Sequence, residues 1–203
     1  MAVVYPSAFP TIEKRAAVPL DLIWRLSVAQ YHQMIRSGIL TDDDPVELLE
    51  GWLVLKMPKN PPHRAATRLM QDALARVVPV GWYVDAQEPI TLEDSEPEPD
   101  VMIVRGETRE YRDRHPGPRD VGAVIEISDT TLERDRASKK KLYARAGIPV
   151  FWILNLVDAQ LEVYSESDGF DYRARQIYRA RDAAPVMLDN RQIGAIAMRD
   201  LLP

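Results

Sequence analysis

The sequence predicts an α/β fold in which a mixed central sheet is flanked by helices. Short apolar runs rich in β-branched residues predict buried strands, and helical periodicity appears between them. Gly, Pro, Asn and Asp separate the two kinds of segment, as is usual at turns. The clearest buried strands are predicted at residues 100–104, 121–127 and 150–154.

Helices are predicted where capping signals precede helical periodicity. The Ser27-x-x-Gln30 pattern opens a helix that runs to about Ile35, and Pro61-Pro62 begins one of about four turns. A third helix is expected between a Thr130-x-x-Glu133 capping box and Gly147. The remaining strands are predicted at residues 82–86, 90–92, 161–164 and 172–178, and in a hairpin over residues 46–57 with its bend at Glu50-Gly51. Residues 106–120 are polar and predict a loop.

Composition favours one globular domain, because the chain has 203 residues and 46% of them are apolar. Residues 1–20 are proline-rich and predict an N-terminal arm, followed by a single domain over residues 21–203 with a short β-rich C-terminal tail. No cysteine is present, which excludes disulfides and thiolate metal ligands. With no apolar run long enough for a membrane span and no signal-peptide pattern, we expect a cytoplasmic protein.

The net charge of −5 gives no overall attraction to nucleic acid, but one basic cluster stands out. Its members are Arg134, Arg136, Lys139, Lys140, Lys141 and Arg145. For the cluster as a whole, a solvated helix face is the favoured interpretation.

Two polar interruptions of apolar segments predict a functional site. Side chains alternate along a strand, so Val121, Ala123, Ile125 and Ile127 should face one side of the strand and Val124, Glu126 and Ser128 the other. A carboxylate in the middle of a buried strand is costly unless another group pairs with it or a metal binds it. The stripe of the following helix that should face the sheet also carries polar residues: Leu132, Asp135, Lys139, Leu142, Tyr143 and Ala146. We therefore expect Glu126, Asp135 and Lys139 to meet over the sheet.

Three acids are candidates for one metal site: Asp100, Glu126 and Glu47. Hard divalent cations prefer carboxylate oxygens, and two carboxylates with a nearby lysine can support hydrolysis of a phosphodiester. An Asp at the start of a strand is common, so the case for Asp100 alone is weak. His63 at a helix start is more often a cap or a surface contact than a ligand, and scattered histidines without cysteine argue against a zinc site.

The combined motifs resemble the Uma-two family of restriction-endonuclease-like proteins over roughly residues 22–165. The resemblance rests on Glu-Pro-Asp100-Val, Val-Ile-Glu126-Ile-Ser and Arg-Asp135-x-x-x-Lys139-x-x-x-Tyr143-Ala-x-Ala-Gly147-Ile-Pro, with Val-Glu47-Leu-Leu-Glu-Gly51 upstream. It implies a PD-(D/E)XK nuclease fold, with a restriction-endonuclease-like mixed central sheet. It also implies metal-dependent cleavage of DNA, with Mg²⁺ or Mn²⁺ as the cofactor.

Residue by residue, the resemblance makes Asp100 the acid of the first motif and Glu126 that of the second, and these two would hold the metal. The lysine expected two residues after the second acid is Ser128 here, and Lys139 on the next helix takes its catalytic place. Supporting roles fall to Glu47, Gln87, Asp135, Tyr143 and His63. Apart from the resemblance, Arg136, Lys140 and Lys141 of the basic cluster are expected to bind nucleic acid. One departure is Asp129, which stands where the family often has proline.

Two further expectations concern the way the protein works. The alternative to an enzyme is a nuclease-like domain that binds nucleic acid or a protein partner without cutting.

A homodimer is expected because two sites related by a two-fold axis cut both strands of a duplex most simply; a monomer mass by light scattering would contradict it. The segments expected to form the dimer interface are the arm and the apolar tail residues Val186–Leu188, Ile193–Met198, Leu201 and Leu202. The alternative is that these segments pack on their own subunit.

Overall fold

A six-stranded mixed sheet forms the centre of this computed structural model, which describes residues 22–203. The strands are β3 (Trp82–Asp85), β4 (Val101–Arg105), β5 (Val121–Ser128), β6 (Val150–Asn155), β7 (Gln160–Ser167) and β8 (Tyr172–Tyr178), adjacent in that order. Neighbouring strands are antiparallel except β5 and β6, which pair in parallel. The predicted α/β fold with a mixed central sheet is confirmed.

Two hairpins stand outside this sheet. The first is β1 (Val46–Leu49) with β2 (Trp52–Leu55), and the second is β9 (Ala183–Leu188) with β10 (Arg191–Ala197). The predicted bend at Glu50-Gly51 is confirmed: both residues have positive φ angles, of 50° and 80°. A two-residue hairpin turn of this kind matches the right-handed twist of its strands. Gly51 is also needed for space, because a Cβ there would lie 2.6 Å from the Cβ of Arg25.

The helices begin and end close to the predicted residues, with one exception. They are α1 (Val28–Arg36), whose Ser27 capping box forms as predicted, α2 (Pro61–Ala75), α3 (Leu132–Arg134) and α4 (Lys140–Arg145). The exception is the predicted continuous helix between residues 130 and 147, because a π turn over Asp135–Lys139 separates α3 from α4. The capping box expected at Thr130 is also wrong: Thr131 is the N-cap, and its hydroxyl donates to Asp135 at 2.6 Å.

The predicted strand over residues 90–92 is wrong. Its backbone closes a loop instead, with the Ile90 N–H bonded to the Pro97 carbonyl and the Leu92 N–H to the Ser95 carbonyl. Prolines in the facing segment lack an N–H, so they cannot complete a strand ladder. The predicted loop over residues 106–120 contains two short 3₁₀ helices, Thr108–Tyr111 and Pro118–Asp120.

Each face of the sheet carries its own apolar core. On one face, α2 and the β9–β10 hairpin cover strands β4 to β7; on the other, α4 and the segment around Ile90 cover them. The C-terminal tail belongs to the first core, where its apolar side chains are buried: Val186, Leu188, Ile196, Met198 and Leu201. These tail residues, expected as interface material, therefore pack on their own subunit. The proline-rich arm of the same expectation lies outside the described residues.

A bulge at Gly122 changes the predicted alternation of β5. Ala123 pairs with Ile103, but Val121 pairs with Val104, so Gly122 is the extra residue. Val121 consequently packs in the same core as Val124, whereas the sequence pattern placed it on the opposite face. Only glycine fits here, since a Cβ would lie 2.4 Å from Leu188 Cδ2 and 2.8 Å from the Trp82 ring.

Between residues 22 and 203, no helix has the length and apolar character needed to cross a lipid bilayer.

Candidate active site

The register of β4 and β5 brings two acids together at one end of the sheet. Val101 pairs with Ile125, so Asp100 and Glu126 follow as the next facing positions. Both side chains are buried, with exposed fractions of 5% and 3%, and both line the same pocket. The Ile127 N–H donates to Asp100 Oδ2 at 2.9 Å, which fixes the Asp100 carboxylate against β5.

Glu126 is held by two donors from the helical segment above it. Lys139 Nζ and the Tyr143 hydroxyl each lie 2.8 Å from Glu126 Oε1. Burial raises the pKa of Glu126 to about 8, although the ammonium group of Lys139 works in the opposite direction. Burial likewise opposes the charge on Lys139, but the carboxylates of Glu126 and Glu47 outweigh it and raise the pKa of Lys139 above its ordinary value. Lys139 therefore stays protonated, and its charge favours the ionised form of Glu126 against the effect of burial.

The stripe predicted on this helix does face β5. Asp135, Lys139 and Tyr143 are all buried, and the π turn lies between the first two. Asp135 Oδ2 accepts from the Ser128 hydroxyl at 2.7 Å and from Thr131. Asp135 thus ties the start of the helix to the end of β5, which positions the turn that carries Lys139.

Asp100 is contacted by two basic side chains from the N-terminal end of α2. His63 Nε2 lies 3.1 Å from Oδ2, and Lys59 Nζ lies 3.1 Å from Oδ1. Burial works against ionisation of Asp100, but His63, Lys59 and the Ile127 N–H outweigh it and lower the pKa of this carboxyl group. The structure thus places His63 in the pocket, although a cap or surface contact was the favoured interpretation.

Asn60 fixes this end of α2 beside the acids. Its side-chain carbonyl accepts from the His63 N–H at 3.0 Å, and its amide group donates to Asp129 at 2.6 Å. The N-cap therefore explains why Lys59 and His63, on either side of it, both reach Asp100.

Glu47 and Gln87 differ in their relation to the pocket. Glu47 is buried, lines the pocket and accepts from the Glu98 N–H at 3.1 Å. The β1–β2 hairpin positions it, because Leu48 is bridged to Glu96. Gln87 has an exposed side chain, and its backbone N–H binds the Pro99 carbonyl at 3.1 Å. It adjoins Asp100 through its backbone and does not line the pocket.

The basic cluster divides between the pocket and the other side of the helix. Lys140 Nζ lies 3.0 Å from Asp171, and Arg136 forms an ion pair with the buried carboxylate of Glu162. Lys141 is exposed. Of the three adjacent lysines, Lys139 alone lines the pocket.

Sequence reasoning missed several pocket residues, and two of them, Lys59 and Arg134, are basic. Arg134 was noted only as part of the basic cluster, yet it lines the pocket beside Lys139, and its Nε lies 4.0 Å from Asp135 Oδ1. Neither of these two atoms has a hydrogen-bond partner in the described part of the chain. Lys59 precedes the helix cap, a position that follows no periodic pattern.

The donors in the pocket fit a hard divalent cation. Six acidic residues line it: Glu47, Glu98, Asp100, Glu126, Asp129 and Asp135. No three Asp, Glu or His side chains of residues 22–203 form a preassembled metal cage. Mg²⁺ usually needs no such cage, because it binds one or two carboxylates, several waters and a substrate phosphate. Asp100 and Glu126, facing each other in one pocket, match that requirement.

Comparison with known proteins agrees with this architecture. No curated protein matches the chain at a significant level. A crystal structure from Anabaena variabilis ATCC 29413, described as a putative nuclease belonging to DUF820, shares its fold with a TM-score of 0.62. The two sequences are 16% identical, and the match covers 81% of this chain and 94% of that one. A family model described as "Putative restriction endonuclease" matches residues 28–193, and the chain therefore belongs to the Uma2 family.

Proposed function

We propose that this protein is a metal-dependent endonuclease that hydrolyses phosphodiester bonds in DNA. One observation carries the proposal: Asp100 and Glu126 face each other in a pocket, and Lys139 Nζ lies 2.8 Å from Glu126. Two carboxylates and a lysine are the groups that phosphodiester hydrolysis with a divalent cation requires. Membership of a restriction endonuclease family supports the same reaction.

In this proposal Asp100 and Glu126 hold Mg²⁺ or Mn²⁺. Such a cation, when bound, stabilises charge on phosphoryl oxygens and lowers the pKa of a water molecule. Different neighbouring groups favour the ionised form of each carboxylate. Asp100 is kept ionised by His63 and Lys59, whereas the charge on buried Glu126 depends on Lys139.

Lys139 acts on the substrate rather than on folding alone. Because its pKa is raised, it carries a full positive charge in a buried pocket, where screening by water is weak. There it offsets negative charge that develops on the phosphate during attack by water. Burial raises the pKa of Tyr143 well above its ordinary value, so its hydroxyl stays a donor and keeps Glu126 Oε1 in place. Glu47 contributes a further negative group beside Lys139.

The proposal is tested by nicking of supercoiled plasmid DNA. We expect cleavage with Mg²⁺ or Mn²⁺ and none with EDTA, and we expect Asp100→Asn to lose activity because it removes one metal-binding carboxylate. The control is Arg181→Ala, an exposed residue on the turn between β8 and β9. Cleavage that survives EDTA, or an Asp100→Asn protein as active as the wild type, would refute the metal-dependent mechanism. DNA binding without any cleavage would favour the alternative of a silent binding domain.

Metal binding supplies a second readout that does not depend on activity. If Asp100 and Glu126 share one ion, calorimetry with Mn²⁺ detects about one site per chain, and Glu126→Gln abolishes it. The conservative substitution keeps the side-chain volume and isolates the loss of charge. Mn²⁺ binding that is undiminished in this variant removes Glu126 from the metal site.

The homodimer stays a prediction. Its remaining basis is the two strands of the duplex, because the C-terminal tail is part of the subunit core.

A further inference from the structure

A basic face of α2 lies next to the candidate catalytic pocket. Arg64 and Arg68 are exposed on its first two turns and line a shallow groove with Lys59, Asn60 and Ala65. Lys59 and Asn60 also line the pocket that holds Asp100 and Glu126. The groove therefore adjoins the pocket, and we name the surface formed by Lys59, Arg64 and Arg68 the α2 basic face.

We propose that the α2 basic face binds the phosphate backbone of duplex DNA and guides it to the catalytic pocket. This inference rests on the proposed nuclease function and assigns the DNA-binding surface to α2 rather than to the basic cluster that runs from α3 to α4.

The helix geometry suits a backbone contact. Arg64 and Arg68 are four residues apart, so they project from the same side of α2 and are separated by about 6 Å along its axis. Ala65 between them has a small exposed side chain, which lets a strand approach the helix closely. The opposite side of α2 is anchored in the core by Ala66 and Met70. Arginine suits such a surface because its planar guanidinium can donate two hydrogen bonds to one phosphate.

The charges on α2 are also more available than those on α4. Within residues 22–203, no carboxylate lies within 4.0 Å of the Arg64 side chain. Arg68 contacts Asp72 at 3.3 Å, but this i,i+4 pair is exposed, and exposed ion pairs contribute little to stability.

The basic cluster that runs from α3 to α4 differs, because within residues 22–203 carboxylates pair with every member of it except Lys141. Arg136 binds Glu162, which is fully buried, and Lys140 pairs with Asp171 while lying 5.4 Å from the centre of the Tyr164 ring. Arg136 would have to leave a buried carboxylate unpaired in order to bind DNA, and that loss is expensive. Arg68 gives up only an exposed contact to Asp72, and Arg64 has no carboxylate partner among the described residues.

The test measures binding apart from cleavage. A short fluorescein-labelled DNA duplex is titrated in EDTA, over a range of salt concentrations, with the wild type and with the double variant Arg64→Ala/Arg68→Ala. Each lost phosphate contact lowers the slope of log K against log salt by about 0.9, so the double variant should lose close to 2 in slope. Its affinity at low salt should fall roughly tenfold. The double variant Arg64→Lys/Arg68→Lys keeps the charge and should recover most of the slope.

The matched control is Arg179→Ala/Arg181→Ala, which removes two exposed arginines from the turn between β8 and β9. The inference is supported if the control binds DNA as the wild type does and only Arg64→Ala/Arg68→Ala loses affinity and slope. Unchanged binding by Arg64→Ala/Arg68→Ala would overturn it, as would a loss of slope only in Lys140→Ala/Lys141→Ala. If the wild type binds through α2 but never cleaves plasmid DNA with Mg²⁺ or Mn²⁺, the proposed function fails while this surface stands.

Discussion

We expect Lys139→Ala to slow DNA cleavage by roughly a hundredfold or more, which is the scale for the loss of one electrostatic stabiliser of a transition state. The wild-type ammonium group is buried, protonated and directed at Glu126. Alanine removes that charge from the place where the phosphate would gain negative charge. Binding of DNA should change little, because one phosphate contact among several is lost. Single-turnover plasmid cleavage gives the rate, and fluorescence anisotropy in EDTA gives the affinity.

The stability of the Lys139→Ala protein must be measured beside its rate. Removing one partner of a buried ion pair costs about 3–5 kcal/mol when the other charge stays uncompensated. Glu126 has a way to avoid this cost, because burial already raises its pKa to about 8 and it can take up a proton. We therefore expect a folded protein with a moderately lowered midpoint of thermal unfolding. Lys139→Met fills the space of the side chain and separates lost charge from lost packing.

Arg181→Ala is the control for rate, since this exposed side chain is on the turn between β8 and β9. If Lys139→Ala and Lys139→Met stay folded and cleave at the rate of the wild type, Lys139 has no catalytic role. If both variants bind DNA as the wild type does but fail to cleave DNA that the wild type cleaves, the protein is a nuclease rather than a silent binding domain.

The elements that carry the two acids were predictable because their signals are local. Apolar runs bounded by turn residues gave β4, β5 and β6, and one acid inside such a run marked Glu126. The helical stripe was also predictable, because residues four apart share a face even when a π turn interrupts the helix. The bulge at Gly122 was not, since it depends on how Trp82 and Leu188 pack against β5.

The wall of the pocket formed by α2 could not be derived in this way. Lys59 and His63 reach Asp100 from a helix start about forty residues earlier in the chain, and neither follows a hydrophobic period. Arg136 shows the converse. It stands beside Lys139 in a basic run, and only the fold reveals that its partner, Glu162, lies beneath it on β7. The sequence shows that this helix face is positively charged. Which carboxylate pairs with a given arginine depends on the strand that packs beneath the helix.

The second large effect is expected at Glu162, a fully buried acid on β7. Its carboxylate accepts from Tyr164 at 2.6 Å, Arg175 at 2.9 Å and Gln160 at 3.1 Å, and also pairs with Arg136. Burial works against its charge, but these donors outweigh burial and lower the pKa of Glu162 from an ordinary value of 4.5 to about 2. A folded-state pKa below the unfolded one gives stability that is present above about pH 4.5 and is lost as the pH falls towards 2.

Glu162→Gln should therefore lower the free energy of unfolding at neutral pH by roughly 3 kcal/mol, the linkage value of a shift of this size. The variant leaves Arg136 and Arg175 without their shared negative partner, yet it nearly preserves the shape of the side chain. Urea denaturation at several pH values should show the difference from wild type shrinking between about pH 4.5 and 2, as Glu162 of the wild type becomes protonated. Glu166→Gln, an exposed acid on the same strand, should leave the free energy of unfolding within about 0.5 kcal/mol of the wild type. A deficit in Glu162→Gln that is the same at every pH would mean that packing, and not the charge on Glu162, stabilises this side of the sheet.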